Sequence, residues 1–189
     1  IRYLDIGGGL GIQYNDEEPP LPSDLASRLI PLLRRHDLTV ILEPGRSLVG
    51  NAGIFVTRVL YRKRGEGKDF VIVDGGMNDL IRPTLYSAYH AIVPVIKSRR
   101  RPKLSDVVGP ICESGDFLGK ERMISEHRQG DFLAVMSAGA YGFSMSSNYN
   151  SRTRAAEVMV KGARHSLVKD RERLTDLVRG EHIPVFLAK

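Results

Sequence analysis

The sequence predicts an α/β segment followed by a mostly β segment, and three observations carry that reading. Two strand-like runs, Ile1-Arg2-Tyr3-Leu4-Asp5-Ile6 and Thr39-Val40-Ile41-Leu42, flank a helical pattern, and each ends in a loop rich in glycine or polar residues. Strand, helix, strand in that order is the signature of parallel pairing, in a sheet or a barrel. After about Gly53, short strand-like runs recur between turn signals, as in antiparallel β domains. The chain has 189 residues, 42% of them apolar and 26% charged, which suits one globular domain or two small ones.

The elements follow in order. After Gly7-Gly8-Gly9-Leu10-Gly11 comes a polar, proline-rich loop, with Ser23 as the expected helix cap. Leu25, Leu29, Leu32 and Leu33 then recur at helical spacing, with Pro31 expected to bend the helix or shift its start. The second strand leads into Glu43-Pro44-Gly45-Arg46-Ser47. Beyond residue 53, strands are expected at Ile54 to Tyr61 and Phe70 to Asp74, joined by a Gly65-Glu66-Gly67 turn. Ala91 to Ile96 reads as an edge or bulged strand because of Pro94. Leu104 to Val108, Phe132 to Met136 and Glu157 to Val160 complete an antiparallel barrel or sandwich, and helical patterning returns at Arg173 to Val178.

Composition excludes several classes. No apolar run approaches the roughly 18 residues of a membrane span. A single cysteine, Cys112, cannot form an internal disulfide, which argues against a small stapled secreted fold. The net charge of +6 has one dense basic run, Arg99 to Lys103, and there is no tryptophan, so a basic surface turn is expected rather than a nucleic-acid face. The chain opens with Ile1 inside a strand-like run, with no signal peptide pattern. A buried strand needs neighbours on both edges, so the sequence is expected to be the C-terminal portion of a longer polypeptide.

Five segments carry candidate chemistry. Gly7, Gly8 and Gly9 at a strand end let backbone N–H groups approach an anion. Glu43-Pro44-Gly45-Arg46 places an acid and a guanidinium at the end of the next strand, on the same rim. The acid suits a protonated ring nitrogen, and the arginine suits phosphate or carboxylate. Arg82 and Tyr86 lie four apart, on one face if helical. Gly109 to Asp116 sets Cys112 beside Glu113 and Asp116; carboxylates near a thiol disfavour thiolate, which suits a proton donor. Tyr141 stands within Ala138-Gly139-Ala140-Tyr141-Gly142, where its hydroxyl is placed to reach a phosphate.

In this order the five segments resemble the C-terminal half of the fold-type III decarboxylases that use pyridoxal 5'-phosphate, across essentially the whole chain. Asn78 to Tyr86 and Cys112-Glu113-Ser114 are similar to the branch that converts meso-2,6-diaminopimelate to L-lysine. The resemblance implies that residues 1–52 are the last βα units of a (β/α)8 barrel. Residues 53–189 would then be a β domain carrying substrate and dimer-interface loops. It implies that Gly7, Gly8, Gly9, Glu43, Gly45, Arg46 and Tyr141 bind the cofactor, Glu43 at the pyridine nitrogen. Arg46, Arg82, Tyr86, Glu113 and Tyr141 would bind the amino-acid substrate, and Cys112 would reprotonate the carbon that lost CO2. No metal is implied. The family's Schiff-base lysine lies far upstream, and Lys97, before a basic turn starting at Ser98, has the wrong setting for it. The chain alone is therefore expected to be inactive, and the whole enzyme a cytoplasmic homodimer with Cys112 and Glu113 reaching the partner's pocket. The other readings are a decarboxylase of a basic amino acid or carboxylated polyamine, a non-catalytic homologue, and a phosphate-binding barrel enzyme without pyridoxal.

Overall fold

The structure, a computed structural model, describes residues 1–97 and 99–187; Ser98 and its expected turn position lie outside the described residues. Strands β1 (Tyr3–Asp5) and β2 (Thr39–Ile41) pair in parallel, Tyr3 opposite Thr39 and Asp5 opposite Ile41. Parallel neighbours need a crossover, and helix α1 (Pro22–Leu33) supplies it. Its cap is Leu21, not Ser23. Pro22 takes the first helical turn, where a missing N–H is harmless, and Asp24 Oδ2 accepts the Leu21 N–H at 2.8 Å. The helix continues past Pro31 to Leu33. No residue of α1 is fully buried, and its apolar side borders a pocket of about 600 Å³ lined by Leu25 and Leu29, by Ile6 and Leu10, and by Val40 and Leu42.

Six further strands form one sheet: β3 (Phe55–Arg64), β4 (Asp69–Val73), β5 (Ile92–Pro94), β6 (Pro102–Val108), β7 (Phe117–Ser125) and β8 (Phe132–Val135). Their order is β5-β8-β3-β4-β6-β7. Alternate residues share a face, so Val71 and Val73 of β4 are buried together with Val59, Val107, Leu118 and Leu133. β5, with its Pro94, is an edge strand as expected. It comes close to the opposite edge: a Cβ on Gly119 of β7 would lie 2.9 Å from Ile92 Cδ1, so the sheet curls almost into a barrel.

The pairing is not purely antiparallel, which corrects the sequence expectation. β4 and β6 run parallel, from Asp69 opposite Ser105 to Ile72 opposite Val108. The chain between them is a long crossover carrying β5 and helix α3 (Arg82–Tyr86), not a hairpin. β7 was not expected either. Its run is broken by Glu121, with φ +54, whose N–H donates to buried Asp106 at 2.8 Å. The basic run Arg99 to Lys103 leads into β6 rather than staying in a turn, and Arg100 pairs with Asp131 at 2.9 Å. Beyond the sheet, β9 (Glu157–Lys161) and β10 (Arg164–Lys169) form a hairpin turning at Gly162, followed by α4 (Leu174–Leu177). No helix among the described residues is long and apolar enough to cross a membrane.

Candidate active site

Parallel pairing of β1 and β2 puts both C-terminal ends on one rim, and the loops that follow touch there. The Glu43 N–H donates to the Gly7 carbonyl at 2.8 Å, and the Gly7 N–H to Asp5 Oδ1 at 2.8 Å. A Cβ at Gly8 would sit 2.2 Å from the Glu43 carbonyl oxygen, so only glycine allows this approach. Helix α2 (Gly45–Val49) starts directly after Glu43-Pro44. Arg46 is half-buried, and among the described residues its Nε has no hydrogen-bond partner. Among the described residues no ion pair joins Glu43 to Arg46, so neither charge answers the other. A glycine cradle, an exposed carboxylate and an orphaned guanidinium nitrogen on one rim fit a phosphorylated, basic heteroaromatic ring.

The 138–142 segment is seated on the end of α2. Gly139 N–H donates to the Gly50 carbonyl at 3.0 Å, and a Cβ there would lie 1.9 Å from the Val49 carbonyl oxygen. Tyr141 follows with φ +61. Its ring stands 5.6 Å from the Arg82 guanidinium carbon, which links the rim to α3. The stretch bearing Arg82 and Tyr86 is helical, as the spacing suggested, but the two differ in setting. Arg82 is 8% exposed, whereas Tyr86 is 61% exposed.

Two residues in this cluster escaped the sequence reading. Tyr14 places its ring 5.2 Å from the Arg82 carbon, and His90 lies edge-on to Tyr14 at 5.2 Å. His90 Nδ1 is 2.8 Å from the Met136 carbonyl oxygen, and burial pushes its imidazole below the ordinary range. Neither residue belongs to a repeating pattern or motif; only the fold makes them neighbours.

The loop from Gly109 to Asp116 is fastened from below. Asp116 is buried, and its carboxylate accepts the N–H groups of Met77 at 2.7 Å and Ile111 at 2.5 Å. It is therefore a structural acid, not a free one beside the thiol. Thr84 Oγ1 donates to the Gly115 carbonyl, which docks the loop on α3. Cys112 and Glu113 are left exposed at the loop tip. The Tyr149 hydroxyl donates to Glu113 Oε2 at 3.3 Å, and that bond pushes the phenol pKa up. A pocket of about 270 Å³, lined by Met77, Asn78, Ile81, Ser147 and Tyr149, opens beside it. Tyr149 was not foreseen, nor was Arg152, whose Nε donates to buried Asn78 Oδ1 at 3.0 Å.

Comparison with known proteins gives the family. A family model for the pyridoxal-dependent decarboxylase C-terminal sheet domain matches residues 14–139. The chain is 55% identical over 179 residues to a diaminopimelate decarboxylase of Aquifex aeolicus, covering 94% of this chain and 43% of that protein. It is 54% identical to one from Pseudomonas aeruginosa, covering 97% and 44%. The structure of diaminopimelate decarboxylase from Helicobacter pylori complexed with L-lysine superposes with a TM-score of 0.87 at 45% identity, covering 94% of this chain and 44% of that one. The chain thus spans less than half the length of the relatives it matches. It belongs to the pyridoxal-dependent decarboxylase family, and what it carries of that family is the C-terminal sheet domain.

Proposed function

We propose that this chain is part of a pyridoxal 5'-phosphate-dependent carboxy-lyase that takes the carboxyl group from the D-configured centre of meso-2,6-diaminopimelate, giving L-lysine and CO2. The observation that carries this reading is a pair of opposite charges, one held at the chain's own rim and one carried out to a loop tip. Beside Tyr141 of the rim, Arg82 is a buried cation with no paired carboxylate among the described residues, and Glu113 is an exposed acid at the tip of the 109–116 loop, where a second subunit's site can meet it. A substrate whose far end bears both carboxylate and ammonium needs both.

Bound pyridoxal phosphate supplies a ring that takes up the electron pair left on carbon when CO2 departs. Gly8, Gly9 and Gly45 offer backbone to its phosphate, Gly7 shapes the turn that presents them, and Glu43 keeps the proton on its pyridine nitrogen. Arg46 and Tyr141 serve both phosphate and substrate. Arg82, with Tyr86 at the rim, binds the distal carboxylate, and Glu113 binds the distal ammonium. Cys112 gives its thiol proton to the carbon that lost CO2, which balances the reaction with one proton taken up.

In this proposal residues 1–52 close a (β/α)8 barrel whose other strands, including the one with the cofactor-bearing lysine, belong to the rest of the enzyme. Residues 53–189 form the β domain. The unfilled apolar pocket beside α1 supports a larger barrel around it. The complete enzyme is a cytoplasmic homodimer in which Cys112 and Glu113 serve the partner's site; their exposure at a loop tip supports that arrangement. CO2 release from diaminopimelate by the complete enzyme tests the activity. Arg82→Gln and Glu113→Gln are each expected to lower kcat/KM by about a hundredfold or more, as for a lost charged contact. Release of CO2 from ornithine, arginine or a carboxylated polyamine, and not from diaminopimelate, would overturn the substrate assignment.

A further inference from the structure

Arg82 has an unusual kind of support. It is 8% exposed, its Nε has no hydrogen-bond partner, and among the described residues no carboxylate pairs with it. A buried guanidinium in that state is costly unless something offsets its lost hydration. Two ring faces flank it, Tyr14 at 5.2 Å and Tyr141 at 5.6 Å from its central carbon. A ring face attracts a cation without cancelling its charge. A carboxylate in the same place would hold the arginine as firmly but neutralise it. An aliphatic side chain would leave it free to move.

We propose that Tyr14 is a positioning residue for substrate recognition: its ring, braced by His90, holds the Arg82 guanidinium where the carboxylate at the far end of the substrate arrives. This rests on the reading of the complete enzyme as acting on diaminopimelate, and it adds a part to that recognition.

Tyr14 is itself fixed on three sides. The Glu17 carboxylate accepts the N–H groups of Tyr14 at 2.8 Å and Asn15 at 2.9 Å, which pins the loop. His90, fully buried, meets the Tyr14 ring edge-on with 78° between the planes, a favoured aromatic arrangement. The third side is Arg82. Helix α3 is a single short turn, so its backbone alone does not hold a long side chain in one rotamer. Among the described residues the buried Tyr14 hydroxyl has no hydrogen-bond partner, so the ring face is the working part. Phenylalanine is expected to replace it.

The test uses the complete, cofactor-loaded enzyme with Tyr14→Phe, Tyr14→Leu, and trifluorophenylalanine at the same position, which keeps the ring's shape and drains charge from its face. Calorimetry compares L-lysine, which retains the distal carboxylate, with cadaverine, which has none. The leucine and fluorinated forms are expected to weaken L-lysine binding about tenfold and leave cadaverine within about twofold, while Tyr14→Phe binds L-lysine as the parent does. KM for diaminopimelate rises more than kcat falls. Unchanged L-lysine affinity in the fluorinated form, or equal loss for both ligands, overturns the proposal. Should Tyr14→Leu fail to fold, the phenylalanine and fluorinated pair decides it. A parent enzyme that binds L-lysine and releases no CO2 from diaminopimelate overturns the activity instead, and the binding comparison still decides Tyr14.

Discussion

His90 and His127 are both buried, and their surroundings favour the neutral ring. Burial is the largest influence on each and lowers its pKa; Arg82 and Arg122 near His90, and Arg100 and Arg62 near His127, push the same way. The Met136 carbonyl opposes the shift at His90, and Asp131 and the Ser125 backbone oppose it at His127. The unfolded chain takes up these protons near the ordinary value of 6.5, whereas the folded chain resists until lower pH. Their contribution is therefore complete above about pH 6.5 and is lost as pH falls toward the lowered folded values. The unfolding free energy of the complete protein, read by urea titration, should drop between about pH 7.5 and about pH 5.5, by on the order of 1 kcal/mol per pH unit for each histidine at most. His127→Asn should flatten that decline. Equal slopes in the two proteins would show that the histidine is not responsible.

At the scale of elements, close backbone approach matters more than propensity. Gly139 lies against the Val49 carbonyl, where a Cβ would come within 1.9 Å of that oxygen and 2.8 Å of the Gly53 nitrogen, so backbone would have to shift. Gly139→Ala is expected to destabilise by about 1–3 kcal/mol, read as a lowered Tm, because it forces the 138–142 segment off α2. An unchanged Tm would mean that the segment moves freely there. The same scale shows what the sequence makes readable. Phe70 to Val73 announces β4 by its apolar run, and the rim of Gly7 to Gly9 with Glu43 and Arg46 follows from placing loops at the ends of parallel strands. β7 hides because a left-handed Glu121 interrupts it, and Leu21 displaces Ser23 as the cap because Pro22 already fits the first turn. The direction of β6 against β4 depends on the path of the intervening chain, which no local pattern encodes. Tyr14, His90 and Tyr149 are invisible for a related reason: each meets its partner across a long stretch of sequence.

The molecule as a whole exposes much apolar surface. On the β9–β10 hairpin, Val158, Met159, Val160, Leu167 and Val168 are all more than half exposed. Surface of that kind is what a subunit contact would cover in the proposed dimer. If Cys112 and Glu113 serve a partner's site, two defective subunits should repair each other. Co-expressed Cys112→Ala and Glu43→Gln forms of the complete enzyme should regain about a quarter of normal activity, since half of randomly formed pairs contain one intact site of two. No recovery in a mixture shown to contain hybrid pairs would place both residues in one subunit's own site. The parallel pairing of β4 with β6 has its own consequence. It obliges the chain to travel the length of the sheet once, and that single detour bears Asn78, Arg82, Tyr86 and His90 while giving the sheet only an edge strand. One uninterrupted stretch thus carries Arg82 and Tyr86 together, and exchanging its residues 76–90 would leave the pairing of β5 with β8 in place.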